Sequence, residues 1–227
     1  NIVKDAFDER CTRLHGNWRA QEEIRNPETH PMPEMLLRRR ADDPKARWID
    51  GTPLNSMYAW ALSMVFPGAH FLHLLRRPHE VVTSLCNFDA VGGIKHEIDE
   101  AIQNWIDHTR VAFLTQRALG RTRVYTARFE DLSEAPRRFY GEILDFLGES
   151  WCDDVLKPLS NKINSSNVDE TRERVRKEIS ERPLYREAEA LYQQIITWKP
   201  TETGEAEVLD QLRAGVIEQA RSRRLIG

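Results

Sequence analysis

The sequence predicts an α/β domain with a mostly parallel sheet and helix-rich segments at both ends. Three observations carry this. Strand-like and helix-like stretches alternate three times between residues 47 and 148, the order that builds a parallel sheet through helical crossovers. Residues 69–75 (AHFLHLL) are apolar apart from two histidines, as suits a parallel strand covered on both faces. From residue 169 onward the chain reads as charged helix, with no internal repeat and no low-complexity linker.

The elements follow in order. Residues 1–46 read as polar helix and loop, interrupted at Asn26-Pro27 and at Pro31 and Pro33, and are assigned as a lid or acceptor-facing segment. RWID (47–50) is a short strand. Thr52 as N-cap, Pro53 at the first helical position and Asn55 two residues later open a helix. Its inward face is read as Met57, Trp60, Ala61, Met64 and Val65, and Pro67-Gly68 stops it. After the strand 69–75 comes a helix from Pro78 to about Phe88, a Gly92-Gly93 loop, and a long helix from His96 to Gly120. The next strand is 122–129, and an amphipathic helix ends at Gly148. The reading is one domain: the segment 1–46, an α/β core over 47–168, and C-terminal helices over 169–227.

At 227 residues with a hydrophobic fraction of 40% the chain supports a single good-sized core. A net charge of −3 gives no general nucleic-acid or membrane footprint, so any anion site must be local. Cys11, Cys86 and Cys152 are far apart, without zinc or dithiol spacing, which suggests reduced thiols in a cytoplasmic protein and no metal. No apolar run reaches the roughly 18–20 residues that span a bilayer, and no signal peptide opens the chain. NIVKDAF lacks an initiator Met and opens in apparent helix, so the natural N-terminus is expected upstream.

The chemistry concentrates in HLLRRPHEVVTSL (73–85). In open parallel sheets ligands sit at the carboxyl ends of the strands. There Arg76 ends a strand, and a helix starting at Pro78 presents unpaired N–H groups and the positive end of its dipole to an anion. A guanidinium fork suits phosphate, and Ser84, nearly two turns on, offers a hydroxyl. Spacing alone leaves an ordinary salt-bridging Arg76 and an incidental Ser84 equally open.

WIDGTPLNSMYAWALSMVFPGAHFLHLLRRPHEVVTSL (48–85) resembles the central region of PAPS-dependent sulfotransferases of the bacterial type. Their strand-Arg-x-Pro motif, with Ser eight positions after the Arg, binds a 3′-phosphate. RFEDL (128–132), EILDFLG (142–148) and NKINSSNV (161–168) resemble later family stretches in the same order. The resemblance covers about residues 47–168. It implies a three-layer, P-loop NTPase-like fold and PAPS as co-substrate. Arg76 and Ser84 would hold the 3′-phosphate, and Asn164, Ser165 and Ser166 would reach the nucleotide. Transfer would be to a hydroxyl or amine of a small molecule or glycan, with neither nucleic acid nor membrane as partner.

One expected part is missing from the pattern. Family members cradle the 5′-phosphosulfate with a PxSGTT-like loop after their first strand, and no such loop occurs here; RLHGNWRA (13–20) has neither the strand nor the Ser/Thr pair. In-line sulfuryl transfer needs organised N–H groups and a cation at the leaving phosphate. The chain as given is therefore expected to turn over little, and truncation is favoured over a divergent, non-catalytic relative. Some relatives have Lys at the position of Gly51, so no cationic role carries over there.

Among possible bases, Asp50 ends the first strand, with a turn-holding role as its plainer explanation. His15 reads as a surface residue, His70 and His73 as core or half-buried histidines, and Glu130 and Asp131 as carboxylates that cap the next helix or fix the strand end. Trp105 reads as core, and Arg172, Arg174 and Arg176 as a solvated helix face from which one arginine could close over the nucleotide. The competing functions are a non-catalytic nucleotide- or partner-binding module of the same fold, and a P-loop kinase-like phosphotransferase, against which no Mg-binding Asp stands in place.

Overall fold

A computed structural model describes residues 49–91, 94–160 and 169–222. The chain divides into two compact units, Asn1–Gly51 and Thr52–Gly227. Of the first, only residues 49–51 are described. Ile49 and Asp50 are exposed and in no strand, so the described part of the strand expected over 47–50 does not form.

The second unit opens with Thr52 as N-cap and Pro53 at the first helical position, but the helix breaks in two. A 3-10 turn, Pro53–Met57, is followed by helix α1, Ala59–Val65, with Tyr58 at φ −125° between them. Because a 3-10 turn winds more tightly than an α-helix, the apolar pattern changes phase across the break. Ala59 and Trp60 go inside, whereas Met64 and Val65, expected in the core, are 62% and 46% exposed.

Strand β1 is Phe71–Leu75, and helix α2, Pro78–Cys86, follows with Pro78 in its first turn. After a 3-10 turn at Phe88–Val91 comes the 22-residue helix α3, Ile98–Leu119. It ends at Gly120, whose φ of 76° is open to glycine at little steric cost. Strand β2, Val124–Arg128, leads directly into α4, Phe129–Glu134, and α5, Pro136–Leu147, which closes on Gly148 in the left-handed conformation. A 3-10 stretch, Asp153–Ser160, precedes α6, Asp169–Glu181, then α7, Pro183–Thr197, and α8, Ala206–Ser222.

Among the described residues the sheet has two strands. β1 and β2 run parallel, in register from Phe71 opposite Val124 to Leu75 opposite Arg128. This is a mixed, mainly helical architecture with a small parallel sheet. One face of β2 meets α3, where Thr126 Oγ1 donates to Gln116 Oε1 at 2.8 Å and lies 3.3 Å from His73 Nδ1. On the other face Ala127 packs with Phe139 and Ile143 of α5. Because α5 leans mainly on β2, the strand expected to be covered on both faces is not: Leu72 and Leu74 are 39% and 53% exposed. His70 is exposed rather than half-buried and stands edge-on to Phe146.

The main core gathers Leu75, Val82 of α2 and Ile102, Trp105 and Ile106 of α3 with Ile179 of α6 and Leu191 of α7. The tail that reads as charged helix thus contributes its minority apolar stripe to the centre of the domain. α8 makes a second cluster, Val208 and Leu212 against Trp60 and Ala118.

Candidate functional site

The parallel register sets the carboxyl ends of β1 and β2 side by side, and four elements fasten that edge. Arg77 N–H, at the N-cap of α2, donates to Glu130 Oε1 at 2.8 Å, and Tyr192 Oη of α7 donates to Glu130 Oε2 at 3.2 Å. The Arg77 guanidinium also hydrogen-bonds Tyr192, which raises the Arg77 pKa. Trp105 Nε1 of α3 donates to the Arg76 carbonyl at 3.2 Å. Glu130 is therefore a fastener between strand ends and tail, and Trp105, buried as expected, also holds the backbone of the turn.

Arg76, Glu80 and Ser84 are spaced by four and line one face of the turn and α2. The Arg76 guanidinium lies 5.0 Å from the centroid of the Phe129 ring, and its Nη2 is 3.2 Å from Glu80 Oε2. Ser84 is half-buried, and its hydroxyl makes no hydrogen bond among the described residues. Thr83 beside it turns inward instead, donating to the His79 carbonyl at 2.6 Å.

A second guanidinium arrives from the tail. Arg176 Nη2 is 3.4 Å from Glu80 Oε1 and 2.8 Å from His79 Nε2. Burial pushes the His79 pKa down, and the positive charge of Arg176 pushes it the same way; a neutral ring accepts the arginine's N–H at Nε2. Two arginines from distant parts of the chain thus converge on one carboxylate over the first turn of a nine-residue helix. That arrangement of donors and helix dipole can hold a compact dianion. Nearby, Arg128 at the end of β2 has a buried Nε–H without a partner among the described residues, and its Nη2 is 3.8 Å from Asp131.

The structure brings Arg76 and Ser84 onto one helix face. Asn164, Ser165 and Ser166 lie outside the described residues, as do His15 and Cys11, and Asp50 belongs to the unit Asn1–Gly51. Sequence reasoning could not select Arg176 from its run of arginines, and it passed over His79. His79 already sits in the first turn of α2, and Arg176 is brought to it by the packing of α6, whose Val175 and Ile179 enter the core.

Among the described residues no group of His, Cys, Asp and Glu could hold a metal ion, and no helix is long and apolar enough to cross a membrane. The model of the sulfotransferase family matches residues 8–153, almost two thirds of the chain. The chain belongs to the sulfotransferase family. No match was found among curated proteins. The part matched to the sulfotransferase family takes in the Arg76 turn, Ser84, α3 and the end of β2, while Arg176 and Tyr192 lie beyond it. In this sulfotransferase-family chain the carboxyl edge of the sheet is therefore fastened by tail residues outside the matched region.

Proposed function

We propose that this protein transfers a sulfuryl group from PAPS to a hydroxyl or amine of a small molecule or glycan by in-line displacement. The observation that carries the reading is the strand-end Arg76 ahead of the α2 N-terminus, with Ser84 on the same helix face, inside a sulfotransferase-family match. Arg76 and Ser84 hold the 3′-phosphate, Arg176 closes on it from the tail, and the family resemblance assigns Asn164, Ser165 and Ser166 to the nucleotide. Helices against both faces of β2 support a P-loop-like three-layer arrangement, and the buried free thiol of Cys86 accords with a cytoplasmic setting.

Calorimetry with adenosine 3′,5′-bisphosphate tests the reading. Arg76→Ala is expected to weaken binding by about 1.5–3 kcal/mol, the scale of a hydrogen bond to a charged group, and Ser84→Ala by about 1 kcal/mol. No binding by the wild type, or equal binding by Arg76→Ala, would sink it. The second reading is a non-catalytic nucleotide-binding module of the same fold. Nucleotide binding without any sulfuryl transfer by the intact protein would select that second reading.

A further inference from the structure

Glu80 stands where an anion at the Arg76 turn would stand. It lies in the first turn of α2, and its carboxylate takes one arginine on each oxygen: Oε2 is 3.2 Å from Arg76 Nη2, and Oε1 is 3.4 Å from Arg176 Nη2. Guanidiniums and a helix N-terminus are the groups that draw a phosphate. One side chain of the protein itself already answers them. Among the described residues, Glu80 is the one carboxylate that pairs with either arginine.

The contact is built to be replaced. Neither arm is two-pronged, and both exceed the roughly 2.7–2.9 Å of a tight charge-assisted hydrogen bond. The Glu80 side chain is 34% exposed, so its carboxylate can turn into water without leaving a buried charge. The pair of Arg117 and Glu205 is different in kind. It is two-pronged, with one arm of 2.6 Å, and clasps the segment before α8 to α3.

Charge decides what can take the place of Glu80. His79 accepts an Arg176 N–H at Nε2, 2.8 Å away, and because a guanidinium has no acceptor, this contact leaves the ring neutral. Two arginines and one carboxylate therefore carry one net positive charge. A monoanion that displaced Glu80 would exchange like for like, against a carboxylate already tethered to the helix. A dianion meets two positive charges once Glu80 turns away, with the N–H groups at the start of α2 beside them.

We propose that Glu80 is an internal counter-anion that keeps the arginine pair closed to singly charged ions and yields it to a doubly charged phosphate, which makes it a specificity-determining residue. This deepens the transfer reading above and rests on it for the identity of the phosphate. On binding, both Nη2 groups pass from Glu80 to phosphate oxygens, and the carboxylate turns to solvent.

Glu80→Gln keeps the shape of the side chain and removes its charge. In calorimetry on the intact protein at constant ionic strength, it is expected to bind adenosine 3′,5′-bisphosphate about three- to tenfold more tightly than the wild type. Sodium sulfate should compete with the nucleotide in both proteins, and sodium acetate in Glu80→Gln alone. Equal or weaker nucleotide binding by Glu80→Gln overturns the proposal, as does acetate competition of equal strength in the two proteins; both results leave the transfer reading standing. Sulfate titrated alone separates the two ideas. If the wild type binds sulfate but not the nucleotide, and Glu80→Gln binds sulfate more tightly, the role of Glu80 is supported and the transfer reading falls. If neither protein binds either ligand, both fall.

Discussion

Adding one methyl group at Gly204 should unfasten the tail from α3. A Cβ there would lie 1.7 Å from the Ala118 carbonyl oxygen and 2.4 Å from its carbon, and backbone cannot swing aside as a side chain can. The segment before α8 must lift away. It then gives up Glu205 N–H to the Arg117 carbonyl at 2.8 Å and Arg121 N–H to the Thr201 carbonyl at 2.9 Å. It also loses the two-pronged contact of Arg117 with Glu205, at 3.1 and 2.6 Å. Two backbone hydrogen bonds contribute about 1 kcal/mol each, and a partly exposed ion pair about 1 kcal/mol. Partial exposure of Val208 and Leu212 adds roughly 1 kcal/mol. The expected loss is about 3–4 kcal/mol, or a fall in Tm on the order of 10 °C for a domain of this size. Gly141, inside α5 with nothing within 4 Å of its would-be Cβ, is the control. Gly141→Ala should stabilise by about 0.5–1 kcal/mol through helix propensity. Urea and thermal unfolding of both variants decide the matter. A loss under about 1 kcal/mol for Gly204→Ala, or losses of equal size in the two, would refute the steric argument.

Desolvation pushes His73 down to about 4, so the unfolded chain, with an ordinary histidine, takes up a proton first as the pH falls below about 6.5. Stability is therefore lost between about pH 6.5 and 4, by roughly 1–2 kcal/mol at pH 5, and His73→Gln should flatten that part of the urea-midpoint profile; an unchanged slope would count against a dry ring. Glu130→Ala removes the partner of both Arg77 N–H and Tyr192 Oη, and should cost about 1–2 kcal/mol. In a double-mutant cycle with Tyr192→Phe, strict additivity would mean that the carboxylate does not tie the tail to the strand ends.

The local punctuation was legible in the sequence because it acts within a few residues. Pro78 at a helix start, Gly120 and Gly148 at helix ends, and the apolar runs of β1 and β2 all sit where backbone sterics and hydrophobic spacing put them. The strand-Arg-x-Pro stretch with Ser84 was legible for the same reason, and so was the family. Other features depended on partners remote in sequence. The expected first helix changes phase because the chain breaks at Tyr58 and packs through Trp60 on α3 and α8, and no single-helix periodicity contains that information. Leu74, apolar like a core residue, is exposed because the covering helix leans on β2.

The sequence by itself determined the main helices and the two strands between Phe71 and Leu147, and that Ser84 falls on the helix face that follows Arg76, since these follow from spacing along one local piece of chain. Only the tertiary structure decided that Arg176 joins Arg76 on Glu80, that Glu130 ties Arg77 N–H to Tyr192 Oη, and that Ser56 meets His108. Those contacts join residues 50 or more positions apart, and side-chain direction at such a distance is set by the packing of α3, α6 and α7 around the sheet edge rather than by any pattern within a segment.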